Sequence, residues 1–327
     1  MAEALQMNRF VAVEDDGEGV LGKLLYYSLS SILVDKFDMM RICDDIGFPY
    51  KESRRVALVD AFKSATGDIY DAKTVTAAGG AETFKVYCRD NRAAQGVSSR
   101  ELVKETLDAH TNTYKKLANI TFTQEAGLRY GDLVYDSDVD PLNYCLQAEK
   151  LYELYQVCVG RKQIETVLEN FVESLMAVKL LAHGKMYFVP REFMHRLEIF
   201  EDLIAQLEAA NKHGSTRRLP MDSNSMFVVN DTKQREKMAA AFYRSVRREI
   251  AEYQERASHL IHSGSQSAAI MERWVLRIAS LEQKKREYEA ILQRELSDID
   301  DDFSSLGHLS LELSIRARGI KLAKMAA

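Results

Sequence analysis

The sequence is poor in residues that interrupt helices or form covalent and metal cross-links. Only 4 of its 327 residues are proline and 16 are glycine, a composition that favours long, continuous helices. The 4 cysteines form no Cys-x-x-Cys pair, and none stands at a zinc-ligand spacing from a histidine. Neither a disulfide framework nor a zinc site is therefore predicted.

Long apolar runs and a strong excess of one charge are also missing. No run of about eighteen apolar residues occurs, so no membrane-spanning helix is predicted, and the first residues lack the basic-then-apolar order of an export signal. The formal net charge of −5 argues against a broad surface that coats nucleic acid, although it allows a local basic patch. Together with the cysteines, which we expect to be reduced, these absences predict a cytoplasmic protein.

What is present predicts an α+β protein that is mostly α. In residues 1–76 we expect a small helical bundle, for which a winged-helix-like arrangement is one option. Its three helices are predicted at 22–32, 37–46 and 53–67. Residues 77–139 are predicted to form a small antiparallel sheet, since alternating apolar residues indicate three or four strands over 84–135.

Downstream of this module the pattern is almost wholly helical. Asp140 and Pro141 are typical of a helix start, and a heptad spacing then predicts one helix to about residue 181. Residues 140–302 are predicted to form an elongated helical bundle or coiled coil.

Two short β-prone runs, 185–190 and 225–229, interrupt this helical region and are predicted to pair as a small two-stranded β ribbon. A helix at 232–262 follows the second run. Residues 303–327 are predicted to form a C-terminal amphipathic helix, with cations near its end.

The glycine-rich segment Gly17–Lys23 matches phosphate-binding patterns and gives one enzyme hypothesis, a nucleotide-binding enzyme. Leu24 stands where a P-loop needs Ser or Thr, several acidic residues crowd the segment, and no βαβ pattern follows. We favour an acidic segment that caps a first helix. Asp136, Asp138 and Asp140 are interpreted as helix-capping residues rather than a calcium loop. We expect no cofactor, no metal site and no catalytic residue, and an enzyme is the less favoured class.

Basic and aromatic residues flank the predicted ribbon and form the candidate binding site. They are Lys185, Tyr187, Arg191, His195, Arg217 and Arg218. Such a group suits a nucleic-acid backbone or an acidic protein partner. The alternative is that Tyr187 packs the ribbon onto the helices while the cations are simply solvated.

Three segments, Leu21–Tyr27, Asp60–Thr66 and Gly184–Arg191, carry a resemblance. They resemble a family of uncharacterised proteins common in bacteriophages and mobile elements. Its members pair an "LGxLxxYS…DAFRxAT" amino-terminal module with a helical region that contains a "GGxYFVP" hairpin; here His183 replaces one glycine of the hairpin. The resemblance implies a phage or mobile-element setting, such as host takeover, defence or counter-defence, and it carries over no functional residue.

These features predict a non-enzymatic binding or assembly protein that acts through helical protein–protein contacts. The partner would be a host protein, a phage protein or a second copy of the chain, the last giving a homo-oligomer. A nucleic-acid-binding protein that uses the amino-terminal bundle or the basic hairpin region is the alternative.

Overall fold

The structure is a computed structural model that describes residues 19–52, 56–77, 80–92, 94–107, 112–181, 183–214, 219–265 and 267–326. It is an α+β protein with 54 % helix and 25 % strand. The chain divides into two compact units, each built from separated segments. Unit 1 contains the described parts of 1–28, 169–201 and 222–327, and unit 2 those of 29–168 and 202–221.

Strands and helices are interspersed along the chain. The strands are β1 (Val20–Tyr27), β2 (Leu33–Asp35), β3 (Tyr70–Ala77), β4 (Gly80–Asn91), β5 (Ser98–Leu107), β6 (Asn112–Thr123), β7 (Gly127–Gly131), β8 (Cys158–Gly160), β9 (Val178–Lys179), β10 (Met186–Pro190) and β11 (Ser223–Val229). The helices are α1 (Lys36–Asp45), α2 (Leu58–Gly67), α3 (Pro141–Val157), α4 (Arg161–Ser174), α5 (Leu197–Ala209), α6 (Thr232–His262), α7 (Ala268–Leu292) and α8 (Asp300–Ala326).

Unit 1 contains a four-stranded sheet in the order β11-β1-β10-β9, in which neighbouring strands are antiparallel. The predicted helix at 22–32 is wrong, because β1 occupies its first half. The predicted two-stranded ribbon is also wrong, since β10 and β11 each pair with β1 and not with each other. A nearly continuous apolar run suits a buried strand and a buried helix equally well, which explains the first error. The second follows from it, because a segment interpreted as a helix was not available as the strand between β10 and β11.

Helices α6, α7 and α8 pack with this sheet to form the core of unit 1. Leu21 of β1 and Phe188 of β10 belong to one buried cluster with Phe242 of α6 and Tyr288 of α7. The rings of Phe242 and Tyr288 lie 4.6 Å apart. The Tyr288 hydroxyl donates to the carbonyl oxygen of Met176 at 3.0 Å, so this buried polar atom is satisfied.

Unit 2 is organised around a curled antiparallel sheet, half a barrel, in the order β3-β4-β5-β6-β7. Helices α2 and α3 pack on one of its faces, where Phe62 stacks on Phe122 with ring centroids 5.6 Å apart. The sheet has five strands rather than three or four, and it begins at Tyr70 rather than at residue 84. A second, two-stranded sheet pairs β2 with β8.

The predicted elongated bundle that follows an amino-terminal module is wrong. Its first helix, expected to run from 141 to about 181, is divided into α3 and α4 by strand β8, and β9 occupies its end. Cys158 and Val159 of β8 are fully buried and pair with β2, so tertiary pairing overrides the heptad pattern. The amino-terminal strand β1 lies in the same unit as the carboxy-terminal helices.

Candidate functional site

The basic and aromatic candidates near β10 have different environments. The ammonium of Lys185 forms an ion pair with Glu169. Tyr187 is buried and stacks on Tyr27, with ring centroids 6.1 Å apart, while Arg191 and His195 are exposed on the 3-10 helix that follows β10.

Arg217 and Arg218 lie outside the described residues. The other four candidates lie in one short segment of unit 1. Among these four, Arg191 and His195 have exposed side chains. The nucleic-acid alternative remains a prediction.

From Gly19 onward, where the structure describes it, the glycine-rich segment does not have the loop-then-helix arrangement that a phosphate-binding site requires. Residues 17 and 18 lie outside the described part, Gly19 is in a turn, and Val20–Tyr27 is strand β1. A phosphate cradle needs the loop to be followed by a helix whose N-terminal amides face the anion. No helix follows, so the structure removes the geometric basis of the nucleotide hypothesis.

The three aspartates at 136, 138 and 140 act within the fold of unit 2. Asp140 accepts a hydrogen bond from the backbone N–H of Leu142 at 3.1 Å and caps α3. Asp136 and Asp138 instead hold the buried Lys104 ammonium, at 3.3 Å and 2.6 Å. Burial favours a raised pKa for Asp136, but hydrogen bonds from Lys115, the Asp138 backbone and Lys104 outweigh it and lower the pKa. The capping interpretation is right for Asp140, and the other two aspartates are ion-pair partners.

Helix α8 has apolar residues on two sides. One side is buried in unit 1 and includes Leu306, Leu313 and Ala317. The other is exposed, and its four large apolar side chains are 61 to 84 % exposed: Leu311, Ile315, Leu322 and Met325. With Arg318 they follow a 4-3-4-3 spacing, which is that of a helix-packing seam. We call the residues 311, 315, 318, 322 and 325 the α8 stripe.

Charged residues lie beside the α8 stripe. Lys321 pairs with Glu272 of α7 at 2.5 Å. Within the described part of the chain, Arg318 and Lys324 have no ion-pair partner. Exposed apolar side chains in line on one helix face, next to charged groups, are typical of a protein-binding surface.

A polar cleft of about 910 Å³ is the second candidate site of unit 1. It is lined by residues of α4, β9, β10, α6 and α7, among them Glu173, Glu249 and Lys284. The Tyr253 hydroxyl donates to Glu249 Oε1 at 2.8 Å. On the far wall, the Trp274 ring meets the Tyr253 ring edge-on at 5.3 Å and the Arg277 guanidinium at 4.8 Å.

The central charges of the cleft are perturbed. Desolvation lowers the pKa of Lys284, and the carboxylates of Glu249 and Glu173 only partly oppose it. Desolvation inside the cleft, reinforced by Glu249, raises the pKa of Glu173. Among the residues that the structure describes, no carboxylate lies within 4.0 Å of the Lys284 ammonium. Shifts of this kind, in a cleft, are typical of functional sites.

Sequence reasoning missed both sites, for different reasons. The 4-3-4-3 spacing of the α8 stripe is visible in the sequence, but the pattern of an amphipathic helix predicts one apolar face and not two. The charged residues of the cleft come from three different helices, α4, α6 and α7: they are Glu173, Glu249 and Lys284. In the sequence, Glu249 and Lys284 are each next to another charged residue, as is usual for an exposed helix position. Only the fold brings the three together, so no local pattern identifies the cleft.

Comparison with known proteins places the chain in a family. A family model matches residues 20–319. The chain belongs to DUF6744, a family of unknown function. The DUF6744 match begins at the first residue of β1 and ends within α8, so it includes the cleft and most of the α8 stripe. No curated protein and no solved structure matches the chain.

The described residues contain neither a membrane-spanning helix nor a metal-binding cluster. No helix there combines the length and the apolar character needed to cross a bilayer. No group of three or more His, Cys, Asp or Glu side chains there is arranged to hold a metal ion.

Proposed function

We propose that this DUF6744 protein is a non-enzymatic binding protein that docks a partner helix on the α8 stripe. The observation that carries the proposal is the stripe itself: an apolar seam with helix-packing spacing that faces solvent while the opposite side of the same helix fills the core. Leaving four large side chains exposed on one helix face is costly unless a partner covers them.

The charge of the seam selects the class of partner. Arg318 stands at its centre, and Lys324 lies beside its end. A partner helix with an acidic residue at the middle of its own apolar seam would neutralise Arg318 and bury the flanking side chains.

A second copy of the chain fits less well. Residue 318 is the midpoint of the stripe from 311 to 325, so a two-fold arrangement that used the whole seam would place Arg318 against its own copy. Like charges at the centre of an interface are unfavourable. We therefore propose a different protein as the partner and treat self-association as an outcome of the test.

The resemblance to uncharacterised phage and mobile-element proteins supports a setting for this activity. We propose that the contact is made in the cytoplasm of a bacterial or infected cell, in host takeover, defence or counter-defence. The four cysteines are free thiols, and this supports a reducing compartment.

The test uses two synthetic amphipathic helices with identical leucine seams, one with Glu and one with Lys at the central seam position. Fluorescence anisotropy of the labelled peptides against the full chain should show the Glu peptide binding about tenfold or more tightly than the Lys peptide. Arg318→Glu should reverse the preference. The double variant Ile315→Ser with Leu322→Ser should abolish binding without loss of stability, because both side chains are exposed.

Leu142→Ser, on the exposed surface of α3 in unit 2, is the matched control and should bind like the wild type; Leu142 is 42 % exposed. Sedimentation of the chain alone should show a monomer. Any of three results would overturn the proposal: neither peptide binds, the double variant binds the Glu peptide as tightly as the wild type does, or the chain forms a dimer that Ile315→Ser dissociates. The last result would assign the stripe to a second copy.

A further inference from the structure

The cleft of unit 1 has the size of a small-molecule site, a strongly charged wall, and no role in the contact proposed for α8. Its volume of about 910 Å³ lies within the range of roughly 300–1,000 Å³ typical of ligand pockets. Five acidic and five basic side chains line it, so its formal charge is balanced. That balance disfavours a ligand that carries a large charge of either sign.

Three charged residues of the cleft lining are separated rather than paired. Lys284 interacts with Glu249 and Glu173 over a distance, with no carboxylate in direct contact among the described residues. Lys284 is half-buried, and a partly desolvated cation without a direct partner is unfavourable by itself. A ligand that placed an acceptor at Lys284 and a donor at the glutamates would give Lys284 a direct partner and would add to the Tyr253 contact that Glu249 already has.

We propose that this cleft binds a small amphoteric ligand, with an ammonium and a carboxylate close together as in a free amino acid. The ligand's carboxylate accepts from the Lys284 ammonium, and its ammonium donates to Glu173 and Glu249. Both contacts are charge-assisted hydrogen bonds, which are stronger than neutral ones. Tyr253 holds Glu249 in place through its hydroxyl, and the wall formed by Trp274 and Tyr253 offers an aromatic surface to the rest of the ligand.

Ligands with only one charge should bind more weakly. An N-acetylated amino acid keeps the carboxylate for Lys284 but offers no cation to the glutamates. An amino acid methyl ester keeps the ammonium but leaves Lys284 without an anion. Each leaves one charged wall of the cleft desolvated and uncompensated, and this difference separates an amphoteric site from a general anion or cation site.

The experiment titrates the full chain with the twenty free amino acids by thermal shift and calorimetry, then tests the N-acetyl and methyl ester derivatives of any that bind. We expect at least one free amino acid to bind, and both of its singly charged derivatives to bind about tenfold or more weakly. Lys284→Met and Glu173→Gln should each weaken binding by a similar factor.

The controls are Lys237→Met and Glu236→Gln, which change exposed residues of α6 outside the cleft lining and should bind like the wild type. Should Lys284→Met fail to fold, the comparison of free and singly charged ligands on the wild type still decides. Any of three results would overturn the proposal: none of the twenty free amino acids binds, the singly charged derivatives bind as tightly as the free amino acid, or the cleft variants bind as tightly as their controls. The α8 variants do not touch the cleft, so this test and the peptide test fail independently.

Discussion

At Gly22 the centre of the unit 1 sheet leaves no room for a side chain. A Cβ at this position would lie 2.1 Å from the carbonyl oxygen of Val189 and 3.0 Å from the ring of Phe188. The nearer of these atoms is backbone in the adjacent strand β10, so relief requires the strands to move. Glycine is the residue that permits such a close approach of two backbones.

We expect Gly22→Ala to lower the free energy of unfolding by about 3 kcal/mol, the upper end of the usual range for overpacked sites. Urea unfolding followed by Trp274 fluorescence measures it, because the only tryptophan of the sequence lies in unit 1. Gly19→Ala is the control: no atom lies within 4 Å of its Cβ position, and the change should stay within about 0.5 kcal/mol. Equal losses in the two variants would contradict the steric explanation.

At the scale of one element, the first turns of α6 and α7 offer a matched comparison of helix caps. The Asp231 side chain accepts a hydrogen bond from the backbone N–H of Gln234 at 2.7 Å, whereas Ser267, at the corresponding position before α7, makes no side-chain capping bond. Asp231→Ala should therefore cost about 1 kcal/mol of stability, and Ser267→Ala only a few tenths. Denaturant unfolding of both variants tests this; a Ser267→Ala loss as large as that of Asp231→Ala would show that the cap bond is not the cause.

The same local signals explain which elements were predictable. Helix boundaries were predicted correctly where capping or helix-breaking residues mark them. Gly47 follows the end of α1, and Asp140 with Pro141 begins α3. Helix α6 covers the predicted 232–262. Strand β8 was missed because its pairing with β2 depends on residues more than a hundred positions away. The α8 stripe is a local pattern and is readable, while the cleft charges converge only in the folded unit.

At the scale of the whole molecule, each unit combines segments that are far apart in the sequence. Unit 1 takes its central strand β1 from the amino-terminal part of the sequence and its helices α6, α7 and α8 from the carboxy-terminal part. Strands β10 and β11 meet only through β1. Without β1 each would present an unpaired edge and lose its ladder hydrogen bonds to β1, and β10 would keep only its two-residue pairing with β9.

A chain shortened to residues 29–327 should consequently lose the sheet of unit 1. Hydrogen exchange measured peptide by peptide should show 186–190 and 223–229 unprotected, whereas 84–90 and 117–122 of unit 2 keep their protection because their five-stranded sheet is complete. A synthetic peptide of residues 19–28, added in excess, should restore protection to the first two segments and assign the effect to β1 itself. If β10 and β11 stayed protected in the shortened chain, they would have to pair directly, as the two-stranded ribbon predicted from the sequence requires, and the central position of β1 would be wrong.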